Sequence, residues 1–330
     1  MSTPLTQWSV IIPCHNAAKT LRLCLASVFA QTAAPGEVIV VDDASADDSA
    51  AIAAEFDCRV IRQRPNRGPA AARNLGAAHA VGEVLFFLDA DLALEPGALE
   101  HASTALEADP GTAAVQGVYA AEPLIDDGPV ERYKTLYEHH WRTRGAGPGS
   151  ATLFALTAIR AEAFAEAGGF DEALRDGEDV DFGARLPARW TVRTDPGVRA
   201  RHDDVDTLGG MLIEQWRRSL RFAELLARAR RSPGPGRAVG TGSFGAATVF
   251  SCAAVAAGLP LVLWSPFLAA VPVGAAAVFA MANAGLLRAA AARGAGWAVA
   301  VFGLHLLYVA TAGLASAAGA LRPAAWTARS

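Results

Sequence analysis

Phe87-Leu88-Asp89-Ala90-Asp91 closes an apolar run (EVLFFL, residues 83–88) with two carboxylates two positions apart. A strand ending here turns Asp89 and Asp91 to the same side, because side chains alternate along a strand with a period of two. Paired carboxylates at a strand mouth suit a hard divalent cation held against a diphosphate.

Outward from this stretch, short apolar runs alternate with helical patterns. Residues 9–13 (SVIIP) read as a buried strand. Thr20 is placed to cap a following helix with Leu21, Leu25, Val28 and Phe29 on one stripe. Residues 37–41 (EVIVV) form a second strand ending at Asp42-Asp43-Ala44-Ser45, before a helix at 47–55 and a strand at 58–62. A helix within residues 68–80 precedes the FLDAD strand. Beyond it the pattern predicts a helix near 96–108, a strand at 113–118, a helix within ERYKTLYEHHW, a strand at 151–157 and a helix at 159–167. A last helix follows Asp176 or Gly177, with Glu178 and Asp179 in its first turn, Phe182 and Leu186 inward, and Arg185 four residues after Asp181. This order predicts an α/β fold with a mostly parallel central sheet and helices on both faces. Ligands on such sheets sit beyond the C-terminal strand ends. Residues 13–16, 42–45 and 89–91 all fall there.

Composition excludes several classes. The formal net charge is −4, and no long basic, aromatic-studded patch points to nucleic acid. No GxGxxG follows the first strand, and no P-loop, GxSxG or HExxH occurs. Cys14, Cys24, Cys58 and Cys252 form no CxxC pair and suit a reducing compartment. The stretch MSTPLTQWSVIIPC has neither a basic n-region nor a long apolar h-region, so no cleaved signal peptide is expected. His15 is read as a loop residue near the pocket. His139 and His140 are placed on a helix or acceptor-side loop, away from metal.

Taken in order, VIIPCHN (10–16), VDDAS (41–45), RGPAAARN (67–74), FLDAD (87–91), GGFDE (168–172) and EDVD (178–181) resemble a family 2 glycosyltransferase with the GT-A fold. The resemblance covers roughly residues 8–190. It implies a nucleoside-diphosphate sugar held by Pro13, Asn16, Asp42, Asp43, Arg73 and Asp89. It also implies a Mg²⁺ or Mn²⁺ ion on Asp91 with help from Asp89. Asp179 would be the general base that deprotonates an acceptor hydroxyl, with Glu178 shaping the site. The expected chemistry is one inverting displacement.

From residue 243 onward the chain reads as a membrane protein. Residues 238–287 contain no Asp, Glu, Lys or Arg. Uncharged stretches at 244–264, 266–287 and 296–320 each have about the 20 residues that cross a hydrocarbon core. Ahead of them, residues 211–231 form a helix with Leu212, Trp216, Leu220 and Ala223 on one face. Arg217, Arg218, Arg221, Arg228, Arg230 and Arg231 surround that face, as expected of a helix resting on anionic lipid. The expected organisation is a GT-A domain over 1–210, an interfacial helix and linker over 211–240, and a transmembrane domain of about three helices over 241–330. Arginine-rich loops at 228–237 and 288–293 predict a catalytic domain on the cytoplasmic face of the inner membrane. Gln215-Trp216-Arg217-Arg218 resembles the acceptor-side Gln/Arg/Trp motif of processive family members, but the tryptophan precedes the arginines. A single transfer to a lipid or lipid-linked acceptor is therefore expected ahead of processive or partner-dependent polymer synthesis. A non-catalytic scaffold is the remaining alternative. A homo-oligomer or membrane partner stays open.

Overall fold

The structure, a computed structural model, describes residues 7–149, 154–174, 177–231 and 245–320. These divide into two compact units. Residues 7–126 and 138–204 make the first; residues 127–137, 205–231 and 245–320 make the second.

The first unit opens with β1 (Trp8–Cys14), α1 (Leu21–Phe29), β2 (Glu37–Asp43), α2 (Ser49–Ala53), β3 (Arg59–Gln63), α3 (Pro69–His79) and β4 (Val84–Leu88). It continues through β5 (Leu92–Leu94), α4 (Ala98–Ala108) and β6 (Thr112–Tyr119). The helix α5 (Pro129–Arg144) is shared in sequence between the units. Then come β7 (Gly147–Gly149), β8 (Leu156–Arg160), α6 (Ala161–Glu166), α7 (Glu178–Arg185) and β9 (Thr191–His202). Among the described residues the strands form one sheet in the order β3-β2-β1-β4-β8-β6-β9-β5, with β7 on β9.

Strand alternation fills both faces of the sheet. Val10 and Ile12 of β1 join Phe86 and Leu88 of β4 under α1 and α4, against Leu21, Leu25, Leu99 and Leu106. Ile11 and Phe87 turn to the opposite face and meet Phe154, Phe164, Phe170 and Phe182. On that face α3 lies so close that a Cβ on Gly76 would stand 2.4 Å from Ile11 Cγ2. Burying both faces explains the unbroken apolar runs of β1, β2 and β4.

The sheet is mixed, which corrects the expectation of a mostly parallel one. β2, β1 and β4 run parallel with β3, but β8 lies antiparallel to both β4 and β6, and β5 and β7 lie antiparallel to β9. Leu156 pairs with Leu88 and Arg160 with Val84, so β8 starts where β4 ends and must run back along it. The strand expected at 151–157 accordingly begins at Leu156; residues 151–153 lie outside the described residues, as does Asp176. Thr20 occupies the N-cap of α1, but its side chain makes no cap; the hydroxyl donates to Ala17 O instead.

The second unit comprises the first half of α5 with α8 (Leu208–Arg231), α9 (Ala246–Trp264), a 3₁₀ turn (Pro266–Ala269), α10 (Ala270–Ala282), α11 (Ala284–Ala291) and α12 (Ala295–Ala320). Two helices, Ala246–Trp264 and Ala295–Gly319, are long and apolar enough to cross a membrane. The stretch expected to be a third span, 266–287, is broken at Asn283, where α10 and α11 meet at 81°. Polar side chains cover the break. Asn283 Nδ2 donates to Phe279 O at 2.8 Å, and its Oδ1 accepts from Thr248 Oγ1 at 3.4 Å and from His305 Nε2 at 3.0 Å. The Tyr133 hydroxyl lies 2.9 Å from the other ring nitrogen of His305, Nδ1. Polar groups freed at a helix break need such partners in an apolar medium.

Candidate active site

Three strand ends supply the site. At the end of β2 the two adjacent carboxylates do different work. Asp42 Oδ1 accepts the Ser45 N–H at 3.0 Å, closing the turn in which Ala44 adopts φ 59°. Asp43, only 3 % exposed, reaches across to the β3–α3 loop. Its Oδ1 accepts from Gln63 Nε2 at 2.7 Å and Arg67 N at 2.8 Å, and its Oδ2 from Gly68 N at 2.8 Å. Asp43 therefore builds the loop that opens α3. Beside it, the β1 loop beyond Pro13 is held by Asn16, whose N–H donates to Ser45 Oγ and whose Oδ1 accepts the Ala46 N–H. His15 sits in the same loop and donates from Nδ1 to Asp43 O at 2.9 Å.

Arg73, on α3, joins two motifs that are far apart in sequence. Its Nη2 donates to Asp89 Oδ1 at 2.7 Å and its Nη1 to Glu178 Oε1 at 2.8 Å. The guanidinium is buried and lies 5.8 Å from the centre of the Phe170 ring. The next residue, Asn74, accepts the Phe170 N–H and donates to Phe170 O and Glu172 Oε1, while Arg67 pairs with Glu172 Oε2 at 2.6 Å. Gly169 makes this possible: at φ 68° it leaves room where a Cβ would stand 2.9 Å from Asn74 Oδ1. The motifs RGPAAARN and GGFDE, far apart in sequence, are thus one structural joint.

The joint delivers α7, whose first turn carries Glu178 and Asp179. Burial pushes the Asp179 carboxyl up to about 6, and the neighbouring Glu178 charge adds to the rise; the Val180 N–H and Arg73 act against it. A carboxyl poised there can take a proton near neutral pH. Below it, Phe182 is fully buried among Phe154, Phe164 and Phe170, with ring centres 4.8 to 5.4 Å away. Asp181 faces away and pairs with Arg185 at 2.8 Å.

Asp91 is half-exposed and stands at the head of β5. The β5–β9 ladder pairs Leu92 with His202, and Asp203 N donates to Asp91 O at 3.0 Å. This register brings His202 Nε2 within 3.5 Å of Asp91 Oδ2, with Asp204 Oδ2 3.4 Å from the other ring nitrogen. Burial works against a charged imidazole, but Asp204 and Asp91 outweigh it and hold His202 well above the usual histidine range. Tyr119 stacks on His202 with ring centres 4.6 Å apart, and the Arg142 guanidinium lies 3.9 Å from the Tyr119 ring centre. His139, from the same helix as Arg142, approaches Tyr119 O at 2.7 Å; His140 is half-buried. His202 was missed in the sequence because β9 has no apolar run. The only available signal was its position at the end of an alternating pattern, TVRTDPGVRARH.

The four α8 residues point in different directions. Gln215 is buried and donates to Ser219 Oγ at 3.1 Å, on the Met211–Gln215–Ser219 side. Trp216, Arg217 and Arg218 are exposed, and Arg218 pairs with Glu214 at 2.6 Å. On the face expected to rest on lipid, Trp216 is exposed and Leu212 and Leu220 are half-buried; the side chains of Ala223, Arg221, Arg228, Arg230 and Arg231 lie outside the described residues.

Residues 9–161 match the family described as Glycosyl transferase family 2. Among curated relatives it is similar to a pre-mycofactocin glycosyltransferase of Mycobacterium tuberculosis, with 33% identity over 205 residues, 59% of this chain and 42% of the relative. It is also similar to the succinoglycan biosynthesis protein ExoU of Rhizobium meliloti, with 33% identity over 199 residues, 56% of this chain and 57% of the relative. The chain thus spans about half the length of these relatives. Its fold is similar to that of the mannosyltransferase PcManGT of Pyrobaculum calidifontis, solved with GDP-Man and Mn²⁺ (TM-score 0.59, 22% identity, 96% of this chain and 87% of that one). That likeness establishes a GT-A-like α/β fold.

Proposed function

We propose that this protein is an inverting glycosyltransferase that moves one sugar from a nucleoside-diphosphate donor to a lipid or lipid-linked acceptor at the cytoplasmic membrane face. The observation that carries the reading is one buried arginine, Arg73, that pairs with both Asp89 and Glu178, whose near neighbours in sequence are Asp91 and Asp179; Arg73, Asp89 and Asp91 lie in the stretch that matches the family. The nucleotide would lie along the β1 and β2 ends, against residues 13–16 and Asp42. Asp43 would act there through the loop that it holds.

The residues at the β4 and β9 ends fit a divalent cation. Asp91 offers an accessible carboxylate and Asp89 a second one, of which one oxygen is committed to Arg73; His202, held protonated by Asp204 and Asp91, would add a ring nitrogen only on giving up its proton to the incoming cation. Oxygen donors with one imidazole suit Mn²⁺ or Mg²⁺. Asp91 and His202 would hold the ion, with Asp89 alongside; when bound, it offsets the charge of the departing diphosphate. Asp179 accepts the proton of the acceptor hydroxyl as that oxygen forms its bond to the anomeric carbon and the sugar–phosphate bond breaks on the opposite side. Glu178 keeps Asp179 basic by its charge, and the aromatic cluster beneath α7 keeps water from the helix underside.

Membrane anchoring is supported by the two apolar helices α9 and α12. The bent pair α10–α11 would be the third membrane segment, and the exposed Trp264 and Phe267 between α9 and α10 would sit in the headgroup region. A water-soluble donor with a membrane-held enzyme favours an acceptor that is itself in the membrane. The test is transfer from a panel of labelled sugar nucleotides into total membrane lipid by the detergent-solubilised chain, with the product's anomeric configuration read by NMR. A lipid-soluble product of inverted configuration supports the proposal. Retained configuration refutes the mechanism, and a long polymer would favour processive synthesis.

A further inference from the structure

We infer that Arg73 is a positioning residue that ties the cation-side carboxylate Asp89 to the base-side Glu178, and that it does not contact the donor phosphates. The inference rests on the proposed transferase reading and changes the role that the sequence suggested for Arg73. Each terminal nitrogen donates to a carboxylate, at 2.7 and 2.8 Å, and the side chain is only 6% exposed, which closes the remaining N–H groups off from solvent. Its Nε is buried and has no hydrogen-bond partner among the described residues. The Phe170 ring lies 5.8 Å from the guanidinium, on the segment that Asn74 fastens to α3. Little of the guanidinium is left to meet a solvent-borne phosphate.

The geometry needs a planar fork. Asp89 ends β4 and Glu178 begins α7, 89 positions later, and one guanidinium meets both with separate nitrogens. A lysine at this position keeps the charge but cannot reproduce the fork. The adjacent Asn74 supplies an internal control. It holds Phe170 and Glu172, on the same incoming segment, yet none of its hydrogen bonds goes to Asp89. Loosening Asn74 disturbs the base side only, whereas shortening the reach of Arg73 disturbs the base side and the cation side together.

The test uses the full chain in detergent and follows Mn²⁺ binding by loss of the free-ion EPR signal, with GDP or UDP present. Donor KM is measured in parallel. Arg73→Lys should weaken Mn²⁺ binding by roughly 10- to 100-fold, the usual range for losing an outer-shell partner of a ligand. Asn74→Ala should slow transfer and leave Mn²⁺ binding unchanged. Should the lysine variant fail to fold, Glu178→Asp serves instead: it keeps the charge, withdraws the carboxylate from Arg73, and should weaken Mn²⁺ binding although Glu178 is no ligand. A variant that binds Mn²⁺ as tightly as the unmodified chain while donor KM rises overturns the inference and makes Arg73 a phosphate contact. Absence of Mn²⁺ binding by the unmodified chain overturns the cation reading itself, and this inference with it.

Discussion

Glu178→Gln offers a demanding test of the base assignment. Burial first, and the charge of Glu178 second, place the Asp179 carboxyl at about 6 instead of near 3.8. A reaction that needs the carboxylate then gains rate as pH rises through 6. With that midpoint, roughly a tenth of the molecules carry the base at pH 5 and roughly nine tenths at pH 7, so the rate climbs about tenfold between them. Removing the Glu178 charge takes away the second cause, and releasing Arg73 from its ion pair adds to the same direction. The limb must move to lower pH, yet stay above the ordinary aspartate value because Asp179 remains buried. The assay is nucleoside-diphosphate release at saturating Mn²⁺ from pH 4.5 to 8, each profile scaled to its own plateau. A limb near 4 in the unmodified protein, or one that moves upward in the variant, would refute the argument.

Four further outcomes follow from particular contacts. Asp179→Asn should abolish transfer and yet raise the melting temperature at pH 7.5. A carboxyl raised from 3.8 to about 6 contributes stability that is full below 3.8 and lost as pH rises through 6; the amide escapes that loss, and an unchanged or lower melting point contradicts it. Asp43→Asn should cost about 2–4 kcal/mol, since an amide cannot accept the Arg67 and Gly68 N–H groups together with Gln63. Urea titration measures it, and full stability with a raised donor KM would return Asp43 to direct nucleotide contact. Gly76→Ala should destabilise the first unit by about 1–3 kcal/mol, because the new Cβ meets Ile11; unchanged thermal unfolding would contradict the packing of α3 on β1. Asn283→Leu should lower the melting temperature in detergent, removing the partners of Thr248 and His305 at a cost of roughly 1–2 kcal/mol, and an unaltered melt would show that the break needs no polar cover.

Much of the first unit was legible because its strands are buried on both faces. The runs VIIPC, EVIVV and EVLFFL allow no half-exposed reading, and the turns after them carry the carboxylates. Asp42, Asp89 and Asp91 were singled out from those turns, and Glu178 and Asp179 from the acidic first turn of the last helix. The contacts between them were not, because they depend on strand order: β8 lies between β4 and β6, and β9 between β6 and β5, against the order of the chain. β9 escaped notice since its exposed positions carry charge, Pro196 and Gly197 interrupt it, and β6 meets it through register shifts. His202 went with it. Asp43 and Arg73 illustrate a different limit. Their residue types suit a nucleotide, but only coordinates reveal that a loop and two carboxylates already engage them. In the second unit, hydropathy found the apolar length at 266–287 but could not find the bend, because Asn283 is a single polar residue in an otherwise uncharged stretch.

The most direct measurement is nucleoside-diphosphate release by the detergent-purified chain from a panel of sugar nucleotides, with Mn²⁺ and total membrane lipid, beside Asp91→Ala and Asp179→Ala. The account predicts release from one donor that requires lipid and is lost in both variants. Release that survives either substitution, or no release by folded protein from any donor, would contradict it.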